Sequence, residues 1–289
     1  MSNISLIIEE RPRNIGNFMV GRLLPFHSKR MVGPFIFIDH MGPKAMNDHE
    51  NMDVPPHPHI GLSTLTYLFE GSIMHRDNLG SAIEIKPGQV NWMTAGKGIV
   101  HSERTPERLR HSEKNMHGLQ IWVALPDDHE YMDPAFFHAG EDELPAWSED
   151  GVQYKLIAGS AFGKTSPVPV YSPLFFIELK TTERRTVRPG DHLHGESALY
   201  ILEGGIESEG NHYEPKRILV SLDSKLCEFT LAANTTVYIF GGQPFTTPRL
   251  IYWNFVASTQ QRIDEAKELW RKQLFPKIEG ETGFVPLPE

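Results

Sequence analysis

Turn-forming residues interrupt this chain so often that long helices have almost nowhere to form. The 289 residues include 24 Gly and 22 Pro spread along the whole length. The intervals between them, roughly 8–12 residues, are rich in β-branched and aromatic side chains. Strands are expected at 34–40 (PFIFIDH), 61–70, 82–86, 89–93, 98–103, 118–125 (GLQIWVAL), 153–159, 174–180, 197–203, 216–222, 226–231, 235–240 and 248–253. Many short strands at that spacing point to an all-β architecture of sandwich or barrel type.

One segment reads differently. Near the C-terminus Ser258 can open an S-x-x-Q capping box closed by Gln261, and Ile263, Ala266, Leu269, Trp270 and Leu274 follow at helical spacing. That helix is expected to lay its apolar stripe on the outside of a β-layer. Between Pro126 and Asp150 the chain turns polar, acidic and proline-bearing, with β-rich sequence on both sides. This places a domain boundary there and divides the chain into an N-terminal domain over 1–135 and a C-terminal domain over 136–289. The two halves also repeat weakly: HPH at 57–59 precedes YLFEG at 67–71, and HLH at 192–194 precedes YILEG at 200–204. Duplicated β-barrels are the economical reading.

The first copy carries the chemistry. Residues i and i+2 of an extended strand project from the same face about 6.5–7 Å apart, so His57 and His59 can converge on one point if the strand bends. Pro58 between them faces outward and suits an edge or a bulge. In TAGKGIVHSE, His101 and Glu103 repeat the i, i+2 relation, and Gly96 and Gly98 permit a tight turn into their strand. Three imidazoles and one carboxylate would meet if the two strands lay side by side in a closed barrel. Nitrogen and oxygen donors without sulfur favour Fe(II), Mn(II), Ni(II), Cu(II) or Zn(II), and an octahedral ion would keep two positions open for chemistry. His40, His75 and His117, with Asp39 beside His40, are candidates to orient a ligand or line the substrate site. His129 and His138 read as solvated surface. In the second half His192 and His194 are followed only by His212 in a polar loop, and Ile239 and Gly241 stand where an H-x-E would be needed. A single metal site, in the first half, is therefore expected.

The bulk properties narrow the alternatives. A formal net charge of −9 and scattered basic residues give no electrostatic footprint for nucleic acid. No apolar run approaches the roughly 18 residues of a membrane span, and no secretory signal is apparent. Cys227 is the only cysteine, which excludes an intramolecular disulfide or a thiolate cluster. A soluble, cytoplasmic, monomeric protein is the expectation.

HPH, YLFEGSIMHRDNLG, PGQVNWMTAGKGIVHSE and HGLQIWVALP, in that order and spacing, resemble the pirin family of the cupin superfamily. PGDHLHG, YILEGG, GGQP and WNFV extend the resemblance through the second half. It implies a bicupin: two tandem cupin barrels of jelly-roll type with a C-terminal helix, the N-terminal barrel holding one metal ion, usually iron. The family's ligands carry over onto His57, His59, His101 and Glu103. Many relatives continue HPH with Arg-Gly-Phe-Glu, whereas this chain has Ile60-Gly61-Leu62-Ser63, so an acid common at that place is missing. The resemblance implies a quercetin 2,3-dioxygenase-type enzyme that opens a flavonol with O2, with Glu103 as the base that takes the flavonol's 3-hydroxyl proton. It also implies an alternative, an iron-dependent redox regulator that binds a protein partner such as a transcription factor or a metabolic enzyme.

Overall fold

The computed structural model describes residues 4–15, 18–221 and 228–288, so Cys227, the last residue of the 216–222 strand and the start of the 226–231 strand lie outside the described residues. Each of the thirteen expected strands overlaps an observed one, most of them within three residues at either end, although the 34–40 strand runs on to Met46 and the 118–125 strand begins at Lys114. The strands outside those ranges are Ile4–Glu9, Arg11–Asn14, Met19–Leu24, Asp53–His59 (foreseen only through its HPH pair), Ile73–Asp77, Ala135–Ala139, Ala146–Glu149 and several two- or three-residue pieces. Most are short or polar along one face. No described helix is long and apolar enough to cross a membrane.

The chain divides into two compact units, and they are not the contiguous halves 1–135 and 136–289. One comprises Met1–Arg11, Arg22–Phe37 and Asp142–Phe245; the other comprises Pro12–Gly21, Ile38–Glu141 and Thr246–Glu289. The acidic stretch does hold a crossover, at residue 141. The discontinuity arises because the chain's first strand, Ile4–Glu9, pairs antiparallel with Arg217–Ser221, and its last elements return to the unit built from 38–141. Such pairings leave no local signature.

The unit containing 142–245 is built on a large antiparallel sheet. Its order is Ile4–Glu9, Arg217–Ser221, Glu196–Glu203, Thr235–Gly242, Leu174–Thr181, Val152–Ala161 and Ala146–Glu149. A four-stranded sheet, Arg185–Val187, Phe229–Leu231, Ile206–Ser208 and Asn211–Tyr213, supplies the second layer. Inward residues of both layers meet in one core, including Leu156, Phe175, Ile177, Leu199, Phe229 and Leu231. Alternation along each strand puts these apolar positions on one face.

The unit containing 38–141 repeats the plan. Ala135–Ala139, Val90–Thr94, Leu62–Glu70, Lys114–Ala124, Phe35–Met46, Met19–Leu24 and Arg11–Asn14 follow one another in one sheet. Asp53–His59, Ile99–Arg104, Ile73–Asp77 and Ala82–Ile85 form the other. Leu68, Met41 and Met116 from the first sheet pack against Ile73 and Ile85 from the second. This is the two-layer, jelly-roll type barrel expected of each half.

The helix spans Gln260–Arg271, and its cap is Thr259, whose side chain accepts from the Arg262 N–H, rather than Ser258. Ser258 is drawn away: its backbone N–H and hydroxyl donate to the Glu130 carboxylate at 2.7 and 2.9 Å. Ile263, Ala266 and Trp270 are buried as expected and pack with Ile60, Val100 and Phe255. Leu269 and Leu274 are not part of the stripe and remain exposed, Leu274 at 63%. The helix thus covers the outer face of the strands next to His59 and His101.

Gly61 fixes the turn that joins Asp53–His59 to Leu62–Glu70. Its φ is +66°, and a Cβ there would lie 2.0 Å from the Val256 carbonyl oxygen. Left-handed backbone is open to glycine and strained for other residues by about 1–3 kcal/mol. Gly61→Ala is therefore expected to destabilise the protein by at least about 2 kcal/mol, read as a lowered urea midpoint at unchanged slope.

Candidate metal centre

The residues between Asp53 and His59 form an edge strand, which explains how DVPPHPH can be a strand at all. Proline cannot donate to a sheet ladder, so a segment with prolines at 55, 56 and 58 is tolerated only where one side needs no donor. Its other side pairs antiparallel with Ile99–Arg104, placing His101 opposite His57 and Ile99 opposite His59. A bulge between His101 and Glu103 shifts that register. Gly96 (φ +48°), whose Cβ would meet the Met132 carbonyl oxygen at 2.1 Å, turns the chain into the His101 strand.

This pairing brings three imidazoles together. The ring centroids of His57 and His101 are 4.3 Å apart, those of His59 and His101 5.0 Å, and those of His57 and His59 5.1 Å. All three side chains are buried, and one ligand atom from each lies within 4.8 Å of the others. Glu103, the fourth expected ligand, stands outside that cluster, two residues along the strand from His101 and opposite His75 on the neighbouring strand.

Burial sets the charge state of these groups. It pulls His57 down to about 4, against the opposing pull of the Pro55 carbonyl oxygen, which lies 2.9 Å from Nδ1. Burial, reinforced by the neighbouring imidazoles, holds His59 and His101 well below the usual imidazole value. Three neutral imidazoles therefore present nitrogen lone pairs to one another at neutral pH. Nδ1 of His59 and Nε2 of His101 are buried and have no hydrogen-bond partner. Neutral nitrogen donors left without protein partners in a dry cluster are what a divalent first-row cation requires, so the residues fit a metal ion. Burial also pushes the Glu103 carboxyl up to about 7, even though the residue keeps some solvent access.

The surroundings sort the remaining candidates. His75 lies against the cluster: its Nδ1 is 3.4 Å from Nδ1 of His101, its Nε2 is 3.2 Å from Oδ2 of Asp77, and its ring stacks on Phe136 at 4.4 Å. His40 and His117 instead pair with each other, Nε2 to Nε2 at 2.8 Å, and His117 sits edge-on to Phe69. Asp39 is buried on the strand that carries His40. His138 is not simply solvated surface, because it is half-buried in the strand Ala135–Ala139 with Nδ1 2.8 Å from the Asn91 side-chain oxygen. Ser63 is buried and shares a hydrogen bond with the Thr94 hydroxyl at 3.0 Å, making that position neutral and satisfied. In the other unit His192 lies in a short 3-10 turn, stacked on Phe162, and His194 sits edge-on to Phe175.

Sequence reasoning missed three supports. Trp122 walls His59 edge-on at 5.2 Å. Asp77 completes H-x-D in MHRDN, a third i, i+2 pair that could have been read beside HPH and HSE. The C-terminal segment braces the ligand strands from behind: Glu281 accepts from Ser102 at 2.9 Å and from Nε of Arg104 at 3.0 Å, and the Val285 N–H donates to the Pro56 carbonyl oxygen at 2.9 Å.

Two-layer antiparallel barrels, one with a buried histidine cluster on paired strands, define the cupin class. The comparisons with known proteins agree. The Pirin family model matches residues 17–123 and the Pirin C-terminal cupin domain model matches 177–276, so the chain belongs to the pirin family. It is 48% identical to a pirin-like protein of Caulobacter vibrioides over 99% of this chain and 100% of that one. It is 37% identical to a Pseudomonas aeruginosa protein that carries a provisional quercetin 2,3-dioxygenase name, over 89% of this chain and 80% of that one. Among solved structures, a quercetin 2,3-dioxygenase from Acinetobacter baumannii superimposes with a TM-score of 0.90 at 37% identity, covering 98% of this chain and 95% of that one.

The brace gives a pH-dependent expectation. The Arg104 guanidinium holds the Glu281 carboxyl below its ordinary value of 4.5. A carboxyl depressed on folding stabilises the protein above its unfolded value, and the contribution disappears as pH falls through the lower folded value. Glu281→Gln should cost about 1 kcal/mol at neutral pH, the scale of a partly exposed ion pair. The difference from wild type should vanish in strong acid, as followed by denaturant melts across pH.

Proposed function

We propose that this pirin is a metal-dependent dioxygenase that opens the central ring of a flavonol with O2, in the manner of a quercetin 2,3-dioxygenase. The observation that carries the reading is the cluster of three buried, neutral histidines in a chain 37% identical, over nearly its whole length, to a solved quercetin 2,3-dioxygenase. His57, His59 and His101 would hold the ion, with Glu103 as the fourth ligand and Fe(II) as the proposed occupant. When bound, a divalent ion supplies Lewis acidity, lowering the pKa of a chelating hydroxyl and holding its anion.

The chain's own residues do the rest. The Glu103 carboxyl, raised by burial in the metal-free protein, is the group that would accept the flavonol's 3-hydroxyl proton as a general base. Trp122 and Phe136, set against His59 and His75, give the centre apolar walls of the kind an aromatic substrate prefers. Ser63 in place of an acid leaves Glu103 as the proton acceptor for this step. Ring opening incorporates O2 into the product and releases carbon monoxide.

Metal-loaded protein should bleach the near-visible band of quercetin and evolve carbon monoxide, and Glu103→Gln should abolish turnover while most of the bound metal is retained. Absence of turnover with iron, manganese, nickel and copper alike would overturn the flavonol assignment.

A further inference from the structure

We infer that Asp77 and His75 are positioning residues that fix the tautomer of His101, through a hydrogen-bonded chain running from a buried carboxylate to the face of the metal ligand. The inference rests on the reading that the histidine cluster holds a metal. The chain starts in the turn after the strand Ile73–Asp77. Oδ1 of Asp77 accepts two backbone N–H groups, from Leu79 at 2.9 Å and from Ser81 at 3.0 Å. Oδ2 is thereby aimed at Nε2 of His75, 3.2 Å away. His75 in turn places Nδ1 3.4 Å from Nδ1 of His101. All three side chains are buried: Asp77 is 1% exposed, His75 4% and His101 1%.

With a neutral His75, proton bookkeeping along this chain has one solution. An ionised carboxylate only accepts, so Nε2 of His75 carries the proton and donates to Asp77. With that single proton spent, Nδ1 of His75 is an acceptor, and Nδ1–H of His101 donates to it. Nε2 of His101 is then left as a bare lone pair, and it is the buried nitrogen that has no protein partner. The other assignment, a proton on Nδ1 of His75 facing His101, would put the His101 proton on Nε2 and cover the ligand atom. The bond that one ring nitrogen makes decides which nitrogen can bind metal, and such outer partners typically control roughly 10- to 100-fold in metal affinity.

Asp77→Asn tests this with no change of shape. The two backbone N–H groups require an oxygen at the Oδ1 position, so the new amide nitrogen must occupy the Oδ2 position and donate to His75. His75 then carries its proton on Nδ1, and His101 is forced into the Nε2–H form. In long-range 1H–15N spectra of histidine-labelled, metal-free protein, wild-type His101 should be the Nδ1–H tautomer and the variant the Nε2–H tautomer. Nickel(II) affinity by calorimetry should fall roughly 10- to 100-fold in the variant. A wild-type His101 protonated on Nε2, or a folded variant with unchanged His101 tautomer and nickel(II) affinity, would overturn the inference. The wild-type spectrum decides the matter even if the variant does not fold. Wild type that fails to bind nickel(II) at all would instead count against the metal centre, while the tautomer is still read on metal-free protein.

Discussion

Keeping three imidazoles dry and neutral at one point is the constraint on which the rest of this structure depends. Burial disfavours the protonated form of each ring, and each proton added would also repel its neighbours. The barrel therefore has to exclude water without supplying protein partners for every ring nitrogen, which is costly unless something else satisfies them. Two strands in register achieve the convergence. The surrounding layers, with Trp122 beside His59 and Phe136 against His75, achieve the dryness. The same dryness lifts the Glu103 carboxyl, so one physical cause leaves the three imidazoles neutral and raises the nearby carboxyl.

Much of this could be read in the sequence because it is local. Strand positions followed from residues that alternate over a few positions between Gly and Pro, and each i, i+2 pair is a property of a single strand. The approach of HPH to the histidine of HSE could be expected once both were strands of one barrel, and the register sets His101 opposite His57, while Glu103 stays outside the cluster. Other features depended on partners far away in the chain. The helix cap moved from Ser258 to Thr259 because Glu130 takes the Ser258 hydroxyl. The units are discontinuous because Ile4–Glu9 adds to a sheet whose other strands lie beyond residue 142. Leu269 and Leu274 matched the helical period, yet only the positions facing Ile60 and Val100 found a surface to cover.

Duplication gives the two units a common plan and different contents. Where the first barrel has paired strands carrying His57, His59 and His101, the second holds His192 in a short turn stacked on Phe162, and its interior is filled by Phe175, Leu199 and Ile239. Filling a barrel with aliphatic and aromatic side chains contributes to stability at every position, whereas buried imidazoles sacrifice some of that contribution. The arrangement concentrates the costly polar residues in one barrel.

The strand Asp53–His59 lies at a sheet edge, and what covers it is Val285, whose N–H reaches the Pro56 carbonyl oxygen. During synthesis the strand that carries two of the three clustered histidines emerges long before the segment that closes over it. An open edge invites pairing with another chain, and proline is a recognised way of blunting it. Pro55, Pro56 and Pro58 thus have a second use besides bending the strand: they withhold donors from a nascent edge, protecting the half-built centre from strand exchange until residue 285 arrives.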